Sequence, residues 1–181
     1  EFERAILDYT KAIELDPSYV EAYANIGLAY TKLGKYDQAL YYYNKAISEY
    51  EEDPSLYVDR GKAYNEKEMR REAMADFNKA LELDAESPDA YLNRALTYAR
   101  EGKFEEAIAD YDRSIKLDPK NAESFLYRAI SYANKMEPEK SMADIERAME
   151  LNPQSPEVYL NRGNLYFNQG QNDAAISDYN K

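Results

Sequence analysis

Tyr91–Ala107 reads YLNRALTYAREGKFEEA, and the same pattern returns when the sequence is shifted by 34 residues in either direction. Tyr23, Tyr57, Tyr91, Phe125 and Tyr159 keep that spacing. So do Tyr30, Tyr64, Tyr98, Tyr132 and Tyr166, seven residues further on, and the small residues Ala39, Ala73, Ala107, Ser141 and Ala175. Five copies in register, with no insertion or deletion, define an array. An internal period of this kind is read before any local feature, because it sets the architecture.

Each copy reads as two helices. Apolar positions recur at helical spacing, as in Tyr91, Ala95 and Tyr98. Asp53, Ser87, Asn121 and Ser155 stand at N-cap positions, and Pro54, Pro88 and Pro156 follow at the first helical position, where a missing N–H costs nothing. Gly34, Gly102 and Gly170 end the first helix in a left-handed conformation. Glu68 and Met136 replace that glycine in two copies, so those turns are expected to cost more or take another shape. Short turns make successive helices antiparallel neighbours. The expected organisation is one array over residues 1–181. It has a half unit 1–19, full units 20–53, 54–87, 88–121 and 122–155, and an incomplete unit 156–181. Neither end carries the polar cap with which such arrays finish, so the chain is expected to be a piece of a longer protein.

The shared pattern runs aromatic, small residue four later (Gly27, Gly61, Ala95, Ala129, Gly163), Tyr three further, then the small residue and the aromatic or Ile of the second helix (Tyr43, Phe77, Tyr111, Ile145, Tyr179). Pro17, Pro119 and Pro153 follow it. This resembles the tetratricopeptide repeat (TPR) family over essentially the whole chain. Two departures stand out. The family's first aromatic, often Trp, is Tyr or Phe. Its usual Leu before the small residue is Ile26 once and Arg60, Arg94, Arg128 and Arg162 otherwise. The resemblance implies an all-α fold, a right-handed superhelical solenoid of antiparallel helix pairs, with first helices lining a concave face that holds a peptide.

The four arginines vary together with a second position. Sixteen residues after each stands Asp76, Asp110, Asp144 or Asp178, whereas Ile26 is matched by Tyr42. A guanidinium on a face that normally packs Leu is costly unless a carboxylate meets it. Ion pairs Arg60–Asp76, Arg94–Asp110, Arg128–Asp144 and Arg162–Asp178 are therefore expected. The plainer reading lays each arginine stem on apolar surface with its head in water.

By the resemblance, the peptide-facing positions are Asn25, Asn93, Tyr127 and Asn161, with Asp59 in the same register, and Val58, Leu92, Leu96, Leu126, Ile130 and Leu160. The aliphatic residues read either as an exposed apolar stripe along the groove or as contacts buried between adjacent first helices. The asparagines look like the asparagine ladder of the TPR domain of the O-GlcNAc transferases, interrupted at Asp59 and Tyr127, or else they hold neighbouring units together. The family's clamp for a C-terminal carboxylate is not matched: its positions hold Ala24, Leu28, Asp59, Asp89 and Asn93. Glu21, Asp89, Glu123 and Glu157 sit where its lysines would be; they complement the helix dipole and discourage an acidic peptide.

Composition narrows the function classes. The net charge of −12 argues against nucleic acid, which needs a basic track, and against an anionic membrane surface. Without His or Cys, no nucleophile–base pair of the usual kind can be built. No phosphate loop, calcium loop or zinc spacing occurs, so no cofactor or metal is expected. The expected function is a non-enzymatic protein–protein interaction scaffold that prefers an apolar or basic partner segment to an acidic one. Two alternatives stand beside it: the recruiting domain of a larger enzyme, and an array that self-associates through its ends. Tyr41 stands on the convex side of its helix, as local packing or a second contact surface.

Overall fold

A computed structural model describes residues 1–181. It contains eleven helices and no strand: α1 (Phe2–Leu15), α2 (Val20–Lys32), α3 (Tyr36–Glu49), α4 (Pro54–Glu66), α5 (Arg70–Leu83), α6 (Pro88–Arg100), α7 (Phe104–Leu117), α8 (Ala122–Asn134), α9 (Pro138–Leu151), α10 (Pro156–Asn168) and α11 (Asn172–Tyr179). Even-numbered helices are the first helices of the repeats and odd-numbered ones the second. Contacts fall into two compact units, Glu1–Thr97 and Tyr98–Lys181. In the first, α1 packs on α2, α2 on α3, α3 on α4 and α4 on α5. In the second, α7 packs on α8, α8 on α9, α9 on α10 and α10 on α11. No helix is long and apolar enough to cross a membrane.

The helix starts follow local chemistry. Asp53 Oδ1 accepts from the Ser55 amide at 2.9 Å, Ser87 Oγ from the Ala90 amide at 3.3 Å and Asn121 Oδ1 from the Ser124 amide at 3.1 Å. Ser155 departs from the expectation. Its hydroxyl donates to Glu157 at 2.8 Å and caps no amide, because a carboxylate two residues on is the stronger acceptor. The turns between first and second helices share one shape. Gly34, Gly102 and Gly170 have φ of 69°, 75° and 75°, and Glu68 and Met136 are held at φ 60°. The same pair of bonds closes each turn: Gly34 N–H to Thr31 O and Lys35 N–H to Tyr30 O, Met136 N–H to Ala133 O and Glu137 N–H to Tyr132 O. The two side chains accept a left-handed conformation instead of altering the turn.

Within a repeat the two helices meet at the small residue of the first. A Cβ on Gly27 would lie 2.8 Å from the Tyr43 ring, on Gly61 2.5 Å from Phe77, and on Gly163 2.5 Å from Tyr179. Where the second helix offers Ile145 in place of a ring, the first carries Ala129, and both are buried in one cluster. Volume is conserved in that exchange, as close packing requires, whereas the repeat with Ala95 and Tyr111 carries both the methyl group and the ring.

The arginines occupy the next layer. Arg60 Nε and Nη2 donate to the two Asp76 oxygens at 2.8 and 2.6 Å. Arg128 meets Asp144 at 2.7 and 2.6 Å, and Arg162 meets Asp178 at 2.7 and 2.7 Å. The three aspartates are buried. Each of these guanidiniums lies over two rings of its own helix, as Arg60 over Tyr57 at 5.5 Å and Tyr64 at 5.9 Å. The third nitrogen reaches back sixteen residues to the second helix of the preceding repeat: Arg60 to Asn44, Arg94 to Asn78, both at 2.7 Å, and Arg128 to Asp112 at 2.5 Å. Burial opposes the charge of Arg60 and Arg128, yet the hydrogen bonds and charge of their carboxylate partners raise their affinity for the proton, as the bond to Asp178 does for Arg162. In the repeat with Ile26, Tyr42 fills the space instead, stacked on Tyr30 at 5.6 Å and tilted against Tyr23 at 6.5 Å.

Three stability outcomes follow. Glu68→Gly and Met136→Gly each relieve a left-handed side chain and should raise unfolding free energy by about 0.5–1 kcal/mol after the entropy of glycine is subtracted, read by chemical denaturation. Asp76→Ala strands a half-buried guanidinium and should cost about 3 kcal/mol. The double change Arg60→Ile/Asp76→Tyr imports the Ile26/Tyr42 arrangement and should recover most of that loss; a double variant no better than Asp76→Ala contradicts it. Finally, burial pushes the Tyr43 and Tyr111 hydroxyls well above the ordinary tyrosine value. Both keep their protons when the unfolded chain has lost them, so their contribution is full below about pH 10 and declines as pH rises past it. Denaturation midpoints should fall above that pH, and less steeply in Tyr43→Phe/Tyr111→Phe.

Candidate functional site

Within each unit, clefts open between successive first helices. In the first unit, α2 and α4 bound a cleft of about 400 Å³ rimmed by Glu21, Asn25, Asp53 and Asp59. A second, of about 300 Å³, is lined by Val58, Asp59, Lys62, Asp84 and Asp89, and Lys62 pairs with Asp59 at 3.3 Å. In the second unit, α8 and α10 bound a cleft of about 180 Å³ that holds Glu123, Leu126, Tyr127 and Glu157. Carboxylates dominate all three rims. The acids that open the first helices are therefore part of cleft walls as well as partners of the helix dipole.

Tyr127 is the aromatic of the second unit's acidic cleft. It is half-buried and stacks on Tyr111 with ring centroids 6.5 Å apart. Burial chiefly, and then the Glu123 and Glu157 carboxylates, push its hydroxyl above the ordinary tyrosine value. Glu157 is held below the usual carboxylate range by the Ser155 hydroxyl. A cation entering here would meet two negative charges beside Tyr127.

The aliphatic stripe needs correction. Val58, Leu92 and Leu126 are only 4%, 5% and 6% exposed. Val58 packs with Ala80 and Ala90, and Leu126 with Ala129 and Val158. At Val58 and Leu126, one residue past the first aromatic, the helix surface has already rotated toward the following first helix, so these side chains are core. Leu160 occupies the same register and is 52% exposed. Leu96 and Ile130 are half-buried. The contiguous apolar stripe is thus reduced to separate points.

The asparagines are half-buried, and two are anchored. Asn93 Nδ2 donates to Asp89 O at 2.8 Å and Asn161 Nδ2 to Glu157 O at 2.7 Å, each one turn back on its own helix. Three features were not read from the sequence. One is the backward reach of the arginines to Asn44, Asn78 and Asp112, which the constant offset of sixteen in the other direction could have signalled. Another is the use of tyrosine as first aromatic: Tyr23, Tyr57 and Tyr159 donate to the carbonyls of Pro17, Glu51 and Pro153, pinning the loop six residues back. The third is the buried amide of Asn65, which donates to Thr97 at 2.8 Å.

Comparison with known proteins agrees with this architecture. The tetratricopeptide repeat model matches residues 20–53 and 88–121, a TPR repeat model matches 1–34 and 71–102, and a further tetratricopeptide repeat model matches 145–177. No curated protein matches the chain significantly. Among solved structures, a tetratricopeptide repeat protein from Parabacteroides merdae is 26% identical, with a TM-score of 0.80 over 98% of this chain and 69% of that one. Pseudomonas aeruginosa pilF is 20% identical, with a TM-score of 0.84 over 98% of this chain and 81% of that one. YrrB, described as a TPR protein with an unusual peptide-binding site, is 22% identical, with a TM-score of 0.69 over 94% of this chain and 88% of that one. With the repeat period, the paired helices and these matches together, the chain belongs to the tetratricopeptide repeat family, whose members generally serve as non-enzymatic protein–protein interaction scaffolds.

Proposed function

We propose that the first-helix face of this scaffold binds a basic segment of a partner protein. The observation that carries this reading is the repeated acidic cleft: Glu21 with Asp59, Asp59 with Asp89, and Glu123 with Glu157 each line a cavity between successive first helices. Lysine or arginine side chains enter these cavities. Leu28, Leu96, Ile130 and Leu160 supply apolar contacts between them, and Asn25, Asn93, Tyr127 and Asn161 supply polar ones. The net charge of −12 steers a cationic segment toward the protein and repels an acidic one. Peptide binding by YrrB is a property of that protein; its likeness to this chain supports a shared fold.

The test is a peptide library screened against this chain and against Glu123→Lys/Glu157→Lys, a surface change that leaves the core untouched. Basic peptides should be selected, bind more weakly as salt is raised, and lose about tenfold in affinity or more to the variant. Selection of acidic peptides, or basic hits indifferent to the charge reversal in this cleft and to Glu21→Lys/Asp59→Lys in the first unit, overturns the reading.

A further inference from the structure

The second unit holds one cleft unlike the rest. It lies between α8, α9 and α10, measures about 220 Å³, and is lined by Asn134, Asn161, Asn164 and Asn168 over a floor of Ile130, Ile145 and Leu165. No charged side chain lines it, whereas carboxylates rim the three clefts described above. Its size is below that of pockets for drug-sized ligands and suits a single side chain.

The amides are oriented by their own bonds. Asn134 Nδ2 donates to Ile130 O at 2.8 Å and Asn161 Nδ2 donates to Glu157 O at 2.7 Å. Each bond leaves the Oδ1 of that amide as an acceptor for a ligand. Asn164 is set the opposite way: its Oδ1 accepts from the Tyr179 hydroxyl at 2.9 Å, which leaves its NH₂ as a donor. The cleft therefore offers acceptors and a donor side by side above an apolar floor. A primary carboxamide is the complementary group, since its NH₂ donates twice and its oxygen accepts twice. A carboxylate has no donor for the two Oδ1 atoms, and an ammonium has no acceptor for the Asn164 NH₂.

We infer that this cleft is a subsite for the side-chain carboxamide of a glutamine or asparagine carried by the partner segment. The inference rests on the reading of the first-helix face as the binding face, and it adds a requirement that charge alone does not impose. Acidic clefts select cations, and this one selects an uncharged amide.

The experiment titrates the ¹⁵N-labelled chain with N-acetyl-glutamine N-methylamide, and in parallel with the glutamate and alanine N-methylamides. The alanine probe carries the same main-chain amides without the side-chain carboxamide. Saturable shifts at the side-chain NH₂ signals of Asn161 and Asn164 are expected with the glutamine probe. The other two probes should bind at least about tenfold more weakly, the effect of leaving one or two polar groups unpaired. Asn164→Leu should abolish the response while the remaining spectrum stays folded. Equal response to the alanine or glutamate probe, shifts located elsewhere, or no shift overturns the inference. Library peptides that bind equally well with every glutamine and asparagine changed to glutamate also overturn it, and leave the basic-segment reading standing. A positive titration with no basic peptide selected has the reverse meaning.

Discussion

The fold depends on the close approach of two helices inside each repeat. Gly27, Gly61 and Gly163 let a ring from the second helix lie against bare backbone, closer than any Cβ would allow. That contact sets the spacing of the pair, and everything layered on it inherits the spacing. The guanidinium of Arg60 can bridge to Asp76 with two bonds only because the helices carrying them stand so near. The exchange of Gly and ring for Ala129 and Ile145 holds the spacing with different chemistry. At Gly61, where an added Cβ would lie 2.5 Å from the Phe77 ring, a methyl group would overpack the contact at a cost of about 1–3 kcal/mol.

Above this layer the repeats are joined by polar contacts as well as apolar ones. The buried ion pairs are stabilised by good geometry and by the rings on either side, which a lone pair would lack. The repeat with Ile26 and Tyr42 shows that the same space can be filled with aromatic packing. Side chains left over from these duties, among them carboxylates and amides on first helices, line the clefts between those helices.

Much of this was legible because a repeat is its own comparison. Positions that must be small, aromatic or left-handed recur every 34 residues, so helix pairs, caps and turns could be read directly from the chain. The joint change of Arg60-type and Asp76-type positions pointed to contact for the same reason. The limits were equally physical. Val58, Leu92 and Leu126 read as groove residues but are buried, because a helix wheel gives a direction and not the distance to the next helix, which meets Val58 at Ala90 and Leu126 at Val158. Ser155 carries a good capping residue whose hydroxyl is diverted by Glu157. The orientation of Asn134, Asn161 and Asn164 depends on backbone carbonyls and a distant tyrosine, which no spacing rule encodes.

The backward reach of the arginines gives the array a grammar of concatenation. Arg60, Arg94 and Arg128 each donate to a side-chain acceptor sixteen residues earlier, at Asn44, Asn78 and Asp112. Arg162 departs from this: Glu146 stands at that offset, and the hydrogen bonds of Arg162 go to Asp178. The repeat with Ile26 makes no such bond: sixteen residues before it stands Thr10, whose hydroxyl is already bonded to its own backbone at Ile6. Repeats joined by the backward bond are tied to a neighbour that carries Asn or Asp at that offset, and the repeat with Ile26 is not. An exchange of modules in this chain would thus break a polar joint at three junctions and none at the start of the Ile26 repeat.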